Sequence, residues 1–510
     1  MAESHTAQAA TDISIVDPAP TPPEDDPTVL AAEPCADTGS SRHGTRPPAS
    51  WNGLRPLLLR LHFYAGILIG PFLLVAAVTG LMYTATPQIE AVVYRHELKV
   101  TPHGTPEALS AQVAAARKAV PDGTLFSVTP ATGRTDSTRV VFEKPGLPDN
   151  YTQTAFVNPY TSEVLGQERT FAGWWLPVRS WVDGFHRHLN LGEPGRIYSE
   201  IAASWLWVEI LGGLALWLTA PRSRQRVRRV LVPQGGAKGR RRTMSWHAAV
   251  GVWASVGLLG LSATGMTWSV HAGASIGKIQ SALTGPTPAV STTLPGQTAD
   301  QGENARTSSG RDVGIDAVVA SAHAAGLRGV LNVSPPTKDQ ATYVVKENTR
   351  SWPERHDTVA VDPATGKVTD RANWADYPLL SKMTSWGIDA HMGLLFGLAN
   401  QIVLALLAIA LIGMILWGYR MWWLRRPTRT EGFALGRAPT RGTWRRLPGW
   451  FLAPAVLLTA AIGYFVPLFG LPLLAFIVVD LIVGARRRRR SEHKPESESE
   501  EKSEHKEVTA

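Results

Sequence analysis

The sequence predicts a polytopic α-helical membrane protein. The predicted architecture is a tandem repeat of a transmembrane helix, an outer α+β domain and a second transmembrane helix, followed by a C-terminal transmembrane hairpin. Three observations predict this class. Several stretches of about 20 or more residues lack charge, basic residues gather in alternate loops, and two long parts of the chain repeat one pattern.

The overall composition hides these features. The chain has 510 residues, of which 44% are hydrophobic, and a net charge of +9, values that also fit a basic soluble protein. Its 18 tryptophans and many aliphatic residues exclude a disordered chain. The single cysteine, Cys35, excludes a disulfide-built fold, a CxxCH haem attachment and a cysteine-ligated iron–sulfur cluster.

Four apolar stretches are long enough to cross a bilayer, because about 20 helical residues at about 1.5 Å each span the ~30 Å hydrocarbon core. A fifth apolar run contains Pro467 and Pro472 and is too long for one ordinary span, which favours two short spans or a hairpin. The first four apolar cores are 61–82, 201–220, 246–270 and 392–417. The predicted transmembrane segments are 53–84, 199–221, 245–270 and 389–424, with the hairpin at 450–484.

The segments between the spans differ in charge. The loop at 222–244 carries nine basic residues and no acidic residue, and the loop at 425–449 carries seven basic residues against Glu431. The long segments at 85–198 and 271–388 are nearly balanced in charge. The positive-inside rule therefore predicts that the basic loops are cytoplasmic and the long segments are outside. Because the basic loops adjoin spans in a lipid bilayer, they indicate topology and anionic lipid and favour no nucleic-acid partner.

Both termini are predicted to be disordered cytoplasmic tails. Residues 1–52 are rich in Pro, Asp, Glu, Ala and Thr and lack the basic and apolar regions of a secretory signal. Residues 485–510 contain five consecutive arginines and then a mixed Glu, Lys and Ser run. Six spans return these arginines to the cytoplasmic side, whereas five do not.

Two pairs of segments align at constant offsets. The hairpin signatures VNPYTSEV and VDPATGKV, each after a predicted helix (108–120 and 315–325), mark matching α+β domains. Both units start on the inner side, so the predicted repeats are parallel. An offset of 185 residues places LHFYAG on WHAAVG and thus His62 on His247, Gly66 on Gly251, Thr79 on Thr264 and Gly80 on Gly265, and an offset of 205 places His186 on His391.

Four histidines at matched depths are the candidate cofactor ligands. His62 and His247 are predicted near the inner face, and His186 and His391 near the outer face. A histidine at a membrane boundary is costly without a partner, and neutral imidazole is a good axial ligand for iron. The two pairs therefore predict two bis-histidine haem sites, on opposite leaflets, that form a transmembrane electron path. Each histidine taken alone is also explained as a snorkelling or hydrogen-bonded interfacial residue.

Small residues accompany two of these histidines. Gly66 and Gly251 each follow a histidine by four residues and share its helix face, where a flat ring can approach the backbone. They are equally explained as helix-packing residues, so they support the haem prediction only together with the histidines.

Three further residues are secondary candidates. His188 replaces His186 as the ligand if residues 185–190 are extended. His271 ends the third span without a counterpart in the first repeat. Glu209 lies mid-span, where a carboxylate is a candidate for proton transfer or for a contact with a haem edge, or is protonated and bonded to a neighbouring helix.

These features resemble the PepSY-associated transmembrane family. The resemblance covers roughly residues 55–425 and rests on the repeated H-x3-G spans, the segment GFHRHLNLGEPGR and the VDPATGKV hairpin. Family members are described as proteins of the bacterial cytoplasmic (inner) membrane, often iron-regulated, and some are haem b reductases that release iron from siderophores. The resemblance implies PepSY-like outer domains, with His62 and His247 ligating one haem iron and His186 and His391 the other.

Two functions of different classes are predicted as alternatives. The first is a haem b oxidoreductase that moves electrons from quinol or a cytoplasmic reductant to a ferric siderophore or another ferric chelate in iron uptake. The second is a non-enzymatic membrane protein whose outer domains bind or inhibit partner proteins such as proteases. The matched histidine depths favour the first. The size of the two outer segments, which lack an obvious catalytic constellation, favours the second.

Overall fold

The computed structural model describes residues 49–219, 231–294, 312–337, 340–425, 442, 444 and 447–492. The predicted tails lie almost wholly outside these residues, at 1–48 and 493–510. Part of each predicted basic loop, at 220–230 and 426–441, lies outside them as well.

The helices of the described residues are α1 (Ala49–Leu68), α2 (Gly70–Thr84), α3 (Thr86–Val93), α4 (Arg95–Leu98), α5 (Leu109–Ala119), α6 (Pro177–His188), α7 (Glu193–Leu218), α8 (Gly239–Thr267), α9 (His271–Thr284), α10 (Ile315–Ala324), α11 (Leu379–His391), α12 (Gly397–Trp423), α13 (Gly449–Phe465) and α14 (Pro467–Glu492). The strands are β1 (Thr124–Thr129), β2 (Thr138–Glu143), β3 (Tyr151–Val157), β4 (Val164–Phe171), β5 (Leu331–Ser334), β6 (Tyr343–Glu347), β7 (Thr358–Val361) and β8 (Val368–Ala372).

Four of these helices are long and apolar enough to cross a membrane: α7, α8, α12 and the Pro467–Arg486 part of α14. The helix pair α1 and α2 is a fifth candidate span, bent by 59° between Leu68 and Gly70. The chain is therefore a multi-pass membrane protein with four to five candidate spans.

The bend between α1 and α2 has a local cause. Pro71 has no N–H and so cannot bond to the carbonyl of Ile67, four residues earlier. The Tyr419 hydroxyl of α12 donates to that carbonyl instead, at 2.8 Å. Gly70 makes room for this contact, since a Cβ there would lie 2.9 Å from the same hydroxyl oxygen. The span predicted as one helix thus consists of two helices, α1 and α2, and the Tyr419 contact from α12 stabilises the bend between them.

The C-terminal apolar run forms a hairpin. Its helices α13 and α14 are separated at Val466, directly before Pro467, and pack on each other. Because α13 has 17 residues, it reaches only about 25 Å, less than the ~30 Å hydrocarbon core. The sixth predicted span therefore stays a prediction. The hairpin packs on the rest of the bundle, where Trp205 Nε1 donates to the Leu468 carbonyl at 3.2 Å and Arg60 contacts Asp480.

The eight strands form one antiparallel sheet in the order β4-β3-β2-β1-β5-β6-β7-β8. Residues 124–171 supply four strands as a meander, and residues 331–372 supply the other four. The two sets meet at β1 and β5, where Val128 pairs with Val333. The two segments predicted as outer domains thus share a single sheet.

Helices α5 and α10 cover the sheet, and one apolar core runs across both sets of strands. The helices also contact each other directly, because the Asp316 carboxylate accepts hydrogen bonds from the backbone N–H groups of Leu109 and Ser110, at 2.7 and 3.2 Å. A carboxylate at this position satisfies N–H groups that have no partner within α5. The cap comes from the other segment, so it ties the two segments together.

Two short helices connect the sheet to the spans. Helix α6 follows β4 and leads into α7, and α11 follows β8 and leads into α12. Each ends close to one predicted ligand, His186 or His391. The fold therefore sets both histidines where the sheet domain meets the bundle.

Candidate functional site

The histidine pair nearest the sheet, here called the sheet-side pair, consists of His186 and His391. His186 Nδ1 lies 2.9 Å from Thr79 Oγ1 of α2, and His391 Nδ1 lies 2.7 Å from Thr264 Oγ1 of α8. Both rings thus reach from a connecting helix to a threonine near the end of a span. The sequence offset of 185 residues relates the two threonines, and 205 relates the two histidines.

The threonine contacts fix the protonation of both rings. Each threonine hydroxyl also lies 2.8 Å from the backbone carbonyl four residues earlier, at Val75 for Thr79 and at Gly260 for Thr264. A hydroxyl has one proton, and each threonine hydroxyl donates it to this backbone carbonyl. The hydroxyl oxygen then accepts the Nδ1–H of the histidine, so that Nε2 carries the lone pair. Nε2 is the atom left to bind a metal.

Two glycines stand beside the same rings. A Cβ at Gly80 would lie 3.2 Å from His186 Cε1, and a Cβ at Gly265 would lie 3.7 Å from His391 Cε1. Gly80 and Gly265, which align in the sequence, therefore each lie beside the Cε1 atom of a sheet-side histidine. A larger side chain at Gly80 would contact the His186 imidazole and change the orientation of the ring.

The second pair, here called the far-side pair, consists of His62 and His247. His62 Nδ1 lies 2.8 Å from Glu209 Oε2 of α7, and His247 Nδ1 lies 3.0 Å from the Met414 carbonyl oxygen of α12. A carboxylate and a carbonyl only accept hydrogen bonds. Nδ1 therefore carries the proton in His247, which leaves its Nε2 free, whereas His62 Nδ1 is close to the carboxylate without hydrogen-bond geometry.

Glu209 and Met414 occupy corresponding places. They are 205 residues apart, the same offset that relates His186 to His391. A Cβ at Gly66 would lie 3.7 Å from Glu209 Oε2, and a Cβ at Gly251 would lie 3.2 Å from Met414 Sδ. Both glycines thus face the residue that holds the neighbouring histidine, and they let the helices approach.

The four histidines share the placement of Nδ1 beside an acceptor oxygen. In His186, His247 and His391 this contact has hydrogen-bond geometry, whereas His62 Nδ1 lies at ion-pair distance from Glu209 without a hydrogen bond among the described residues. Metal-ligating histidines in proteins are oriented this way, since the partner of the second nitrogen fixes the tautomer and the ring direction. The donor chemistry therefore fits a pair of imidazole-ligated metal centres.

The spacing of the far-side rings also fits. Their centroids are 6.2 Å apart, and their planes are 71° from each other. Two imidazoles on opposite sides of one metal ion, each bonded at about 2 Å, have centroids roughly 6 Å apart. From His247 to Thr264, α8 runs 17 residues, or about 25 Å. The two pairs are thus separated by most of the bilayer core.

A cavity of about 430 Å³ lies between the spans and contains both sheet-side histidines in its wall. Its wall is otherwise largely apolar, with Leu73, Leu206 and Leu258 among the lining residues. Its volume is in the range of small-molecule and cofactor sites.

Polar groups in the cavity wall are suited to an anionic edge of a bound molecule. The Tyr83 hydroxyl is buried and has no hydrogen-bond partner among the described residues. Arg187, Arg196 and Arg350 also line the cavity. An apolar pocket with two imidazoles and cationic groups matches an apolar macrocycle that carries carboxylates.

Burial keeps the sheet-side rings neutral. It lowers the pKa of His186 to about 4 and the pKa of His391 to about 3. At pH 7 both rings are therefore uncharged imidazoles, the form that binds iron. No proton must leave before a metal binds.

The secondary candidates have different environments. His188 is the last residue of α6, because Leu189 and Asn190 adopt left-handed backbone conformations. Residues 185–188 are thus helical, and the extended conformation that favours His188 over His186 is not found. His188 still lines the cavity. Gly195 is required beside it, since a Cβ there would lie 1.8 Å from the His188 carbonyl oxygen.

His271 is a helix-end residue paired with Glu200. Its ring is half exposed, with Nδ1 3.3 Å from Glu200 Oε2. The buried Glu200 carboxylate also accepts the backbone N–H groups of Val270, His271 and Ala272 at 3.0–3.3 Å. Glu200 therefore caps α9, and His271 contributes to that cap. Glu209 has the different role described above, as the partner of His62.

The sequence predicts the four histidines as candidate ligands, but it does not predict the groups that lie beside their Nδ1 atoms. The alignment that places Thr79 on Thr264 contains the signal for the sheet-side contacts, because both threonines recur with the histidines. The far-side partners leave no such signal, since Glu209 and Met414 are unlike and one acts through its backbone.

A family model described as the PepSY-associated TM region matches residues 59–425 of the chain. None of the curated proteins searched matches the chain.

Proposed function

The chain belongs to the PepSY-associated TM region family, and from that premise we propose that it is a haem b oxidoreductase that carries electrons across the membrane to a ferric chelate. The observation that supports the proposal is the matched placement of the four histidines, each with Nδ1 beside an acceptor oxygen. His62 and His247 hold one haem in this proposal, and His186 and His391 hold the other. A haem iron between two imidazoles supplies reversible one-electron transfer between its ferric and ferrous states.

The contacts of this chain set the properties of each site. Glu209 Oε2 lies 2.8 Å from His62 Nδ1, so a carboxylate adjoins this ring. Met414 offers His247 only a neutral carbonyl. The threonine hydroxyls give the sheet-side rings neutral partners on both sides.

The cavity residues give the sheet-side site its shape. Gly80 and Gly265 keep the space beside the rings open, and the apolar wall excludes water. Arg187, Arg196 and Arg350 line the cavity and would be the groups that pair with haem carboxylates, although each also forms an ion pair with a protein carboxylate. In the proposal both pairs originate from the tandem repeat, because the offsets of 185 and 205 residues relate each histidine and its Nδ1 neighbour in one half to those in the other.

The direction of transfer follows from charge. In the proposal, the basic loops at 222–244 and 425–449 support a cytoplasmic position for the far-side pair and an outer position for the sheet domain, and the membrane is the inner membrane of a bacterium. Electrons then enter from quinol or a cytoplasmic reductant and leave at the sheet-side pair. Each ferric ion takes one electron, so one quinol reduces two ferric chelates and releases two protons.

The test of this function is reoxidation of the reduced protein. Dithionite-reduced protein, freed of excess reductant and mixed without oxygen with a ferric hydroxamate siderophore, is expected to lose its ferrous haem absorption. One ferrous ion should form for each haem oxidised, as measured with a ferrous-specific chelator. The gallium(III) complex of the same siderophore is the matched control, since it has the same charge and shape but accepts no electron.

Equal absorption with the iron and gallium complexes would exclude ferric-chelate reduction by this protein. That result would favour the alternative, in which the sheet domain binds partner proteins such as proteases.

A further inference from the structure

A second cluster of ligand-type side chains lies outside the histidine pairs. Glu354 and His356 belong to the connection between β6 and β7, and Asp389 belongs to α11. Each offers one ligand atom, and these three atoms lie within 4.8 Å of one another. The side chains are 0%, 11% and 2% exposed, in that order. Residues far apart in sequence thus bring two carboxylates and one imidazole together away from water.

The cluster is short of hydrogen-bond donors. Glu354 Oε1, His356 Nδ1 and Asp389 Oδ2 are buried without a hydrogen-bond partner among the described residues. Buried polar atoms in proteins are nearly always paired, because an unpaired one costs about 1–3 kcal/mol. Glu354 Oε1 and Asp389 Oδ2 thus indicate a missing cationic partner for the two carboxylates, and the imidazole presents its other nitrogen, Nε2, to the Glu354 carboxylate.

The neighbouring charges compensate only part of the cluster. Arg350 Nε donates to Asp389 Oδ1 at 2.8 Å, which leaves Oδ2 free. Burial, together with the adjacent Asp389 carboxylate, raises the pKa of Glu354 to about 7, and burial lowers the pKa of His356 to about 4.

The geometry suits direct coordination. His356 Nε2 lies 3.3 Å from Glu354 Oε2, and two ligand atoms bonded to one ion at about 2.0–2.2 Å lie roughly 3–4 Å apart. The Ser385 hydroxyl, 3.4 Å from the same nitrogen, and the Trp374 ring, whose centroid is 4.7 Å from that of His356, hold the imidazole in place.

We propose that Glu354, His356 and Asp389 bind one first-row divalent transition-metal ion. One imidazole nitrogen and two carboxylate oxygens suit Zn²⁺, Fe²⁺ or Mn²⁺. Ca²⁺ and Mg²⁺ prefer oxygen ligands alone, and Cu(I) prefers sulfur. The bound ion removes the shortage of positive charge that the buried carboxylates create.

The position of this site links it to the sheet-side pair without merging the two. Asp389 precedes His391 on α11 by two residues, and Arg350 both contacts Asp389 and lines the cavity. A metal ion at the cluster therefore lies beside the cavity wall. The inference needs no haem and stands even if the proposed electron transfer is wrong.

The experiment measures metal binding to the full-length protein. Protein stripped with a chelator is dialysed against buffered free Zn²⁺, and bound zinc is determined by elemental analysis. The wild type is expected to bind one more equivalent of tightly held zinc than the Glu354→Gln and His356→Gln variants. His323→Gln is the matched control, because His323 lies on α10 with its Nδ1 at 2.9 Å from the Leu327 carbonyl and should leave the stoichiometry unchanged.

A second measurement does not depend on the variants folding. X-ray absorption at the zinc edge of the wild type, loaded with one equivalent, should show oxygen and nitrogen neighbours at about 2.0–2.2 Å, including one imidazole. Excess Ca²⁺ or Mg²⁺ should not displace the zinc. Equal zinc binding by the wild type and both cluster variants, or a wild-type spectrum without imidazole, would overturn the proposal.

Discussion

Replacing His391 by alanine should remove about one haem equivalent per chain and leave the other in place. His391 offers one of two neutral imidazoles at the sheet-side cavity, and its loss leaves His186 alone there. A haem with one protein ligand exchanges far more readily than one held on both faces. His247→Ala should remove the other equivalent, since it belongs to the far-side pair. Haem is measured as its pyridine complex and divided by the protein concentration.

The matched control for both variants is His271→Ala. His271 is also a histidine at a span end, but its ring contacts Glu200 and is half exposed. It should keep the full haem content. Unchanged haem in both His391→Ala and His247→Ala would show that these histidines are not ligands.

Arg179→Leu should destabilise the protein by about 3–5 kcal/mol, because it leaves a buried carboxylate without its partner. Arg179 Nε lies 3.5 Å from Glu90 Oε2 and 3.3 Å from Thr86 Oγ1, and both side chains of the ion pair are about nine-tenths buried. The pair joins α6, which carries His186, to α3, which continues directly from α2 with its Thr79. The loss should therefore lower the unfolding temperature and also weaken haem binding at the sheet-side pair.

The double variant Arg179→Leu/Glu90→Leu separates the buried charge from the lost packing. Replacing both members of a buried ion pair by apolar residues of similar volume is often neutral or stabilising. The double variant should thus recover most of the lost thermal stability in a detergent-solubilised unfolding experiment. A double variant as unstable as Arg179→Leu would show that the guanidinium stabilises α6 through other contacts.

The sequence is sufficient for features that depend on local pattern. Uncharged stretches predict four of the spans, and the two hairpin signatures predict turns whose backbone hydrogen bonds match, Asn158 N to Glu163 O at 2.8 Å and Asp362 N to Lys367 O at 2.9 Å. Repetition also selects His62, His186, His247 and His391 from 14 histidines. Matched depth gives this information because a membrane span limits where each residue lies.

Features that depend on distant contacts are not visible in the sequence. The pairing of Val128 with Val333 that merges two strand sets into one sheet follows from the packing of two segments about 200 residues apart. The bend at Pro71 is stabilised by Tyr419. The cluster of Glu354, His356 and Asp389 has no spacing typical of a metal motif, since its ligands meet only through the fold.

Partner identity is the least predictable part of the site. Met414 holds His247 through its backbone carbonyl, and any residue type has that group. Glu209 is recognisable as an unusual mid-span carboxylate, but only the packing of α1 against α7 shows that His62 is its partner.

The most direct test of two bis-histidine haem sites is the haem-to-protein ratio of the wild-type protein, prepared with an adequate haem supply. A reduced-minus-oxidised spectrum with pyridine quantification should give about two b-type haems per chain, with the bands of bis-histidine ligation. A folded, pure protein without a Soret band would contradict haem binding by the four histidines.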